Sequence, residues 1–214
     1  MQDRDQHYEF DYIIENIKES NWEAKFFFPV GDHTSSEKHP SWKSNEYRNL
    51  IKWIATNCEA GLRLSNKASS DYTLISTEVT RLKTILSKDV CSSRFQHVKT
   101  ALTISYSEAY KTSIRNDYSM GYPDEPGFRA SIARSFIFYD LPQEKITEMR
   151  IFPFQVMDNS LNRTSEEDTE IISNLMAETR NAGGHFVCVW HNSSLSDCEG
   201  MKVRRATFEQ MLKS

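Results

Sequence analysis

Residues 59–67 read Glu59-Ala60-Gly61-Leu62-Arg63-Leu64-Ser65-Asn66-Lys67, a short apolar run that turns polar at its end. Three segments downstream share that shape: Ser93-Arg94-Phe95-Gln96-His97, Asn116-Asp117-Tyr118-Ser119-Met120-Gly121-Tyr122 and Val187-Cys188-Val189-Trp190-His191-Asn192. Each reads as a strand whose C-terminal end carries polar side chains. In α/β barrels that end is where loops converge and sites are built.

Helix and strand patterns alternate around these segments. Residues 10–20 place Phe10, Ile13, Ile14 and Ile17 at helical spacing, and 24–30 read as a strand closed by Gly31-Asp32. A helix is predicted over 45–57 with Leu50, Ile51, Trp53 and Ile54 facing inward, then a strand over 59–64. The helix predicted over 73–86 carries Leu74, Ile75, Val79, Leu82 and Leu86, and the next strand ends near Ser93-Arg94. A short helix over 106–113 precedes strands at 116–119, 136–141 and 150–156. Ser165-Glu166-Glu167-Asp168 supplies an N-cap and an acidic first turn for a helix running to about Asn181. Ala182-Gly183-Gly184 ends it. A buried strand over 185–190 and a last helix over 206–212 complete the pattern. Strands separated by helices argue for parallel βαβ units, and no linker or repeat divides the chain. The expectation is one α/β domain over 1–214.

Composition narrows the function classes. With 38% hydrophobic and 26% charged residues, 214 residues suffice for one soluble domain with a full core. A net charge of -4 argues against a nucleic-acid partner, and Lys202-Val203-Arg204-Arg205 reads as the solvated start of the last helix. Cys58, Cys91, Cys188 and Cys198 form no Cys-x-x-Cys pair, so neither a structural zinc site nor a disulfide framework is expected. Cys188, inside an apolar run, reads as a small buried hydrophobe. Met1-Gln2-Asp3-Arg4-Asp5 begins no signal peptide, and no apolar run approaches the ~20 residues that span a bilayer. A cytoplasmic location without membrane association is expected, with the sequons at Asn162 and Asn192 as chance matches.

Taken in order, the strand ends resemble the polysaccharide deacetylase family of carbohydrate esterases, in particular a bacterial branch. The segments that carry the resemblance are 117–122, Phe152-Pro153-Phe154-Gln155-Val156-Met157-Asp158 and Trp190-His191-Asn192-x-x-Leu195-Ser196-Asp197, within a span from about Phe10 to Leu212. It implies an α/β fold of the (β/α) barrel type, incomplete at the N-terminus, and metal-dependent removal of acetyl groups from carbohydrate. His191 would donate a proton to the leaving amine, a role that suits imidazole. Arg94 would orient a catalytic aspartate, and Asp117 with Tyr118 would line the sugar site. Trp190, His97 and Arg129 would belong to the groove, with Arg129 binding an anionic group. The residues themselves leave plainer readings open. Arg94 fits a loop salt bridge, His97 a surface position, Asp117 a turn, and Arg129 a partner of Asp117 or Asp124.

The resemblance also implies a zinc or other divalent ion, held by an aspartate and two histidines four residues apart. Here positions 63 and 67 are Arg63 and Lys67. Guanidinium offers donors only and repels a cation, so the metal motif is degenerate and no metal ligand is assigned. His33 and His39 are the remaining nearby imidazoles. The strand at 24–30 matches the family's second strand, and no aspartate-bearing strand precedes it. An open barrel edge would then be covered by a second copy or a partner chain. Two functions follow: a deacetylase of N- or O-acetylated polysaccharide, or a catalytically inactive or truncated relative that binds a glycan or a protein. No Gly-x-Ser-x-Gly turn suggests a serine hydrolase.

Overall fold

A computed structural model describes residues 9–34, 37–96 and 102–214. In chain order the regular elements are α1 (Phe10–Lys18), β1 (Lys25–Pro29), α2 (Asn45–Ile54), β2 (Glu59–Leu64), α3 (Thr73–Leu86), β3 (Ser92–Phe95), α4 (Leu102–Tyr110) and β4 (Asn116–Asp117). They continue as β5 (Phe136–Asp140), β6 (Lys145–Ile151), β7 (Val156–Met157), α5 (Ser165–Asn181), β8 (Cys188–Val189) and α6 (Lys202–Leu212). The residues pack as two compact units, neither a continuous stretch of chain. Among the described residues no helix is long and apolar enough to cross a membrane.

The larger unit comprises Lys25–Ser119 and Ser135–Phe152. Its sheet has the order β1-β2-β3-β4-β6-β5, with β1 to β4 parallel, β6 parallel to β4, and β5 antiparallel to β6. The parallel part follows from the helix-strand alternation. In β2, Ala60, Leu62 and Leu64 are buried, and α3 contributes buried Ile75, Val79, Leu82 and Ile85. Helix α2 starts at Ser44, whose hydroxyl accepts from the Tyr47 N–H at 3.3 Å. Tyr47, Ile51 and Ile54 form its buried stripe. Trp53, expected inward, is 40% exposed, because it lies about 100° round the helix from Ile54 and about 160° from Ile51, off the stripe they share with Tyr47.

One expectation is corrected in this unit. A strand expected over 150–156 is instead β6, paired with β5 in an antiparallel hairpin. Leu141–Gln143 turn the hairpin, capped by the Asp140 carboxylate, and Glu144 takes a left-handed φ of 46°. The strand stops at Ile151 because Pro153 has no N–H to continue the ladder. The expected barrel appears only in its α/β, parallel-rich character. The hydrogen-bonded order begins at β1 and ends at β5, with no pairing among the described residues that joins them.

One face of this sheet is filled by rings. Phe27 lies 5.5 Å from Tyr118, which stacks on Phe152 at 4.8 Å. Gly61 makes room for the first ring, since a Cβ there would meet Phe27 at 2.6 Å and the Ser92 carbonyl at 3.0 Å. Gly61→Ala is therefore expected to destabilise the fold by about 1–3 kcal/mol, read as a lower denaturant midpoint at unchanged slope.

The smaller unit comprises Met120–Arg134 and Pro153–Ser214 with the described residues up to Ala24. Helix α6 packs on α1 and α5. The Tyr12 hydroxyl donates to Glu209 at 2.6 Å, and Arg205 lies over the Tyr12 ring at 3.7 Å. Helix α5 begins with a reciprocal capping box between Thr164 and Glu167. It ends at Ala182, with Gly183 at a φ of 61° beyond it. The strand expected over 185–190 shortens to Cys188–Val189, half-buried, because its parallel partner β7 offers only Val156 and Met157. Gln155 extends that pairing. Its N–H donates to the Val187 carbonyl at 2.9 Å, and its side-chain oxygen accepts from the Val187 N–H at 2.8 Å.

Candidate functional site

Strands β7 and β8 end side by side, with Met157 in register with Val189. Asp158 follows the first strand, and His191 comes two residues after the second. The Asp158 carboxylate is fully buried and grips His191 twice. It accepts from the His191 backbone N–H at 2.8 Å through one oxygen and meets the ring Nδ1 at 2.7 Å through the other. Burial alone would raise the Asp158 carboxyl. Hydrogen bonds from the His191 ring and backbone and from Ser194, with the imidazole's charge, hold it below the usual carboxylate range instead. An ionised Asp158 needs a donor, so the Nδ1 proton faces it and Nε2 is the ring nitrogen turned away from the carboxylate. The arrangement is an oriented acid-base group on a strand end.

Asp158 was not among the residues singled out by the sequence, although it ends one of the segments quoted there. The available signal was its position, a carboxylate directly after Phe154-Gln155-Val156-Met157. Other expected residues of this unit lie close to their own local partners. Trp190 meets Phe208 edge-on at 5.3 Å. Arg129 donates to the Gly121 carbonyl at 3.0 Å, with Tyr122 5.8 Å away. Cys188 touches the Met211 sulfur at 3.7 Å, and burial pushes its thiol up to about 12, far from a thiolate.

The larger unit holds the remaining candidates at the C-terminal ends of β2, β3 and β4. Asp117 is fully buried. Its carboxylate accepts from the Ser93 hydroxyl at 2.9 Å, the Ser119 N–H at 2.8 Å and the Ser119 hydroxyl at 2.9 Å. Burial pushes it up to about 6, against the hydrogen bonds from Ser119 and Ser93 that pull it down. Tyr118 is buried in the ring stack already described. Arg94, also buried, stands in register with Arg63 across β2 and β3. His97 lies outside the described residues.

The surroundings of Arg63 decide whether a metal fits. Its guanidinium is half-buried, and burial lowers its pKa despite the opposing influence of Tyr47 and Glu37. Glu37 is committed elsewhere, accepting from the Asn66 N–H at 3.0 Å. Glu78 is held by Ser65, whose N–H and hydroxyl donate to it at 3.0 and 2.6 Å. The rings of His33 and His39 meet edge to face at 5.0 Å. Burial, then the charges of Arg63 and His33, lower the His39 pKa. Lys67 is exposed. Among the described residues no three His, Cys, Asp or Glu side chains converge as metal ligands. With two cationic side chains at the motif, the residues present do not fit a divalent ion.

Against this geometry, one solved structure is informative. A crystal structure from Mycobacterium smegmatis, described as a "putative polysaccharide deacetylase", superposes with a TM-score of 0.67, covering 97% of this chain and 70% of that one at 11% identity. The fold is deacetylase-like. At that identity the likeness carries the architecture alone. No family model matches the chain, and no curated protein matches it. The deacetylase-like fold accounts for the parallel-rich sheet and for polar residues gathered at strand ends.

Proposed function

We propose that this protein is a carbohydrate-binding relative of the polysaccharide deacetylases that does not catalyse metal-dependent deacetylation on its own. The observation that carries the reading is Arg63, a half-buried guanidinium with no hydrogen bond or ion pair among the described residues, at the end of β2. A cation site cannot coexist with it. The ligand is a glycan, and His191 with Asp158 is an oriented acid-base pair that the chain has kept. Purified protein incubated with N-acetylglucosamine oligomers and with an O-acetylated xylan, each with added Zn, Co or Mn, should release no acetate above a protein-free control. Metal-dependent release that disappears in His191→Ala would overturn the reading.

A second reading is favoured by one observation, the bidentate hold of Asp158 on His191. Such orientation is what a general acid requires. On that reading the protein is a deacetylase. The same acetate assay separates the two.

A further inference from the structure

Three buried polar atoms lie on consecutive strand ends of the larger unit without a hydrogen-bond partner among the described residues: Arg63 Nε, Asn66 Oδ1 and Gln96 Oε1. Arg63 is the next-to-last residue of β2, Asn66 lies two residues past that strand, and Gln96 directly follows β3. The two ends are joined, since the Gln96 N–H donates to the Leu64 carbonyl at 3.2 Å. Buried polar groups are almost always satisfied, and leaving one bare costs about 1–3 kcal/mol. Three on one pair of strand ends is a concentration that packing does not explain.

The chemistry of the three atoms specifies the missing partner. Arg63 Nε–H is a charged donor and needs an acceptor, best an anion. Glu37 acts on it electrostatically but lies beyond ion-pair distance, with its carboxylate already on the Asn66 N–H. Arg94, in register on β3, adds a second positive charge to the same row. Asn66 Oδ1 and Gln96 Oε1 are acceptors, or donors if the amides are turned, and hydroxyl groups satisfy either orientation. An acid bearing several hydroxyls matches this set, where a simple inorganic anion would leave the amides bare.

We infer that the ends of β2 and β3 bind an acidic carbohydrate, its carboxylate on Arg63 and its hydroxyls on Asn66 and Gln96. The sugar part rests on the glycan reading above, whereas the anionic part stands on Arg63. The position is apt: the residue that keeps a metal cation out is the one that draws a carboxylate in.

The test is a calorimetric titration of the full chain with a galacturonic acid trimer, the carboxyl-reduced galactose trimer, and inorganic phosphate. The acidic trimer should bind at least about tenfold more tightly than the reduced trimer or phosphate. Arg63→Gln should lose that preference, Arg63→Lys should keep part of it, and Asn66→Ala should weaken the acidic trimer without affecting phosphate. The melting midpoint of Arg63→Gln should be no lower than that of the wild type, because an unpaired half-buried charge has been removed; lost binding with intact folding is a result that a structural role would not produce. Equal binding of both trimers overturns the acidic site and leaves the glycan reading standing. Phosphate binding as tight as the acidic trimer overturns the sugar part. Binding of neither trimer overturns both.

Discussion

Asp158→Ala will lower the melting midpoint by roughly 6–12 °C and release the His191 ring from its present orientation. The carboxylate is fully buried and serves the His191 N–H, the His191 ring and Ser194. Truncation leaves those donors facing a void, at about 3 kcal/mol in total. Asp158→Asn is the finer probe, since it preserves volume. Its amide oxygen accepts from the His191 N–H, which turns the amide nitrogen toward Nδ1. The ring must then accept there, and its proton moves to Nε2. Nitrogen NMR of the His191 ring reads the change directly. An unchanged tautomer in Asp158→Asn, together with an unchanged midpoint in Asp158→Ala, would show that the contact has no energetic weight.

The pH dependence of this contact has a definite sign. The Asp158 carboxyl is held below its ordinary value in the fold. Its contribution is therefore complete above the unfolded value, near ~4, and is lost as pH falls through the lower folded value. Wild type and Asp158→Ala should differ most at neutral pH and converge in strong acid.

Periodicity made much of this fold legible. Strand β2 and helices α3 and α5 fall on the expected residues because their apolar positions recur at strand or helix spacing over a full element. The β5–β6 hairpin escaped for a physical reason. Its turn is Leu141-Pro142-Gln143-Glu144, without the Asn-Gly or Gly signal of tight hairpins, and the left-handed residue is a glutamate. Trp53, expected inward, falls off the stripe through Tyr47, Ile51 and Ile54, which leaves its indole partly exposed. The Asp158–His191 pair joins residues 33 apart in sequence through a two-stranded sheet, so no local spacing announces it. Glu37 lies in a loop with no periodicity, and its approach to Asn66 becomes visible only in three dimensions.

Asp117→Asn will flatten the stability profile between pH 4 and 7. In the wild type, burial raises this carboxyl from 3.8 to about 6. A carboxyl whose folded pKa lies above its unfolded value binds a proton more readily in the fold. Stability is then highest below the unfolded value, falls as pH rises between the two, and is level above the folded one. A rise of that size corresponds to about 3 kcal/mol, several degrees of melting temperature for a chain of this length. Glu78 is also raised by burial and adds a slope of the same sign, so the informative quantity is the difference between wild type and variant. Asparagine keeps an oxygen for the Ser119 N–H and offers an amide to the Ser93 and Ser119 hydroxyls, which can rotate to accept it. The variant should therefore match or exceed wild-type stability at pH 7 and lose the advantage near pH 4. A difference that stays constant across this range would mean that Asp117 does not titrate there. The expected profile would instead identify Asp117 as a buried carboxyl whose neutral form fastens β3 to β4, in the same sheet as the strand ends that carry Arg63, Asn66 and Gln96.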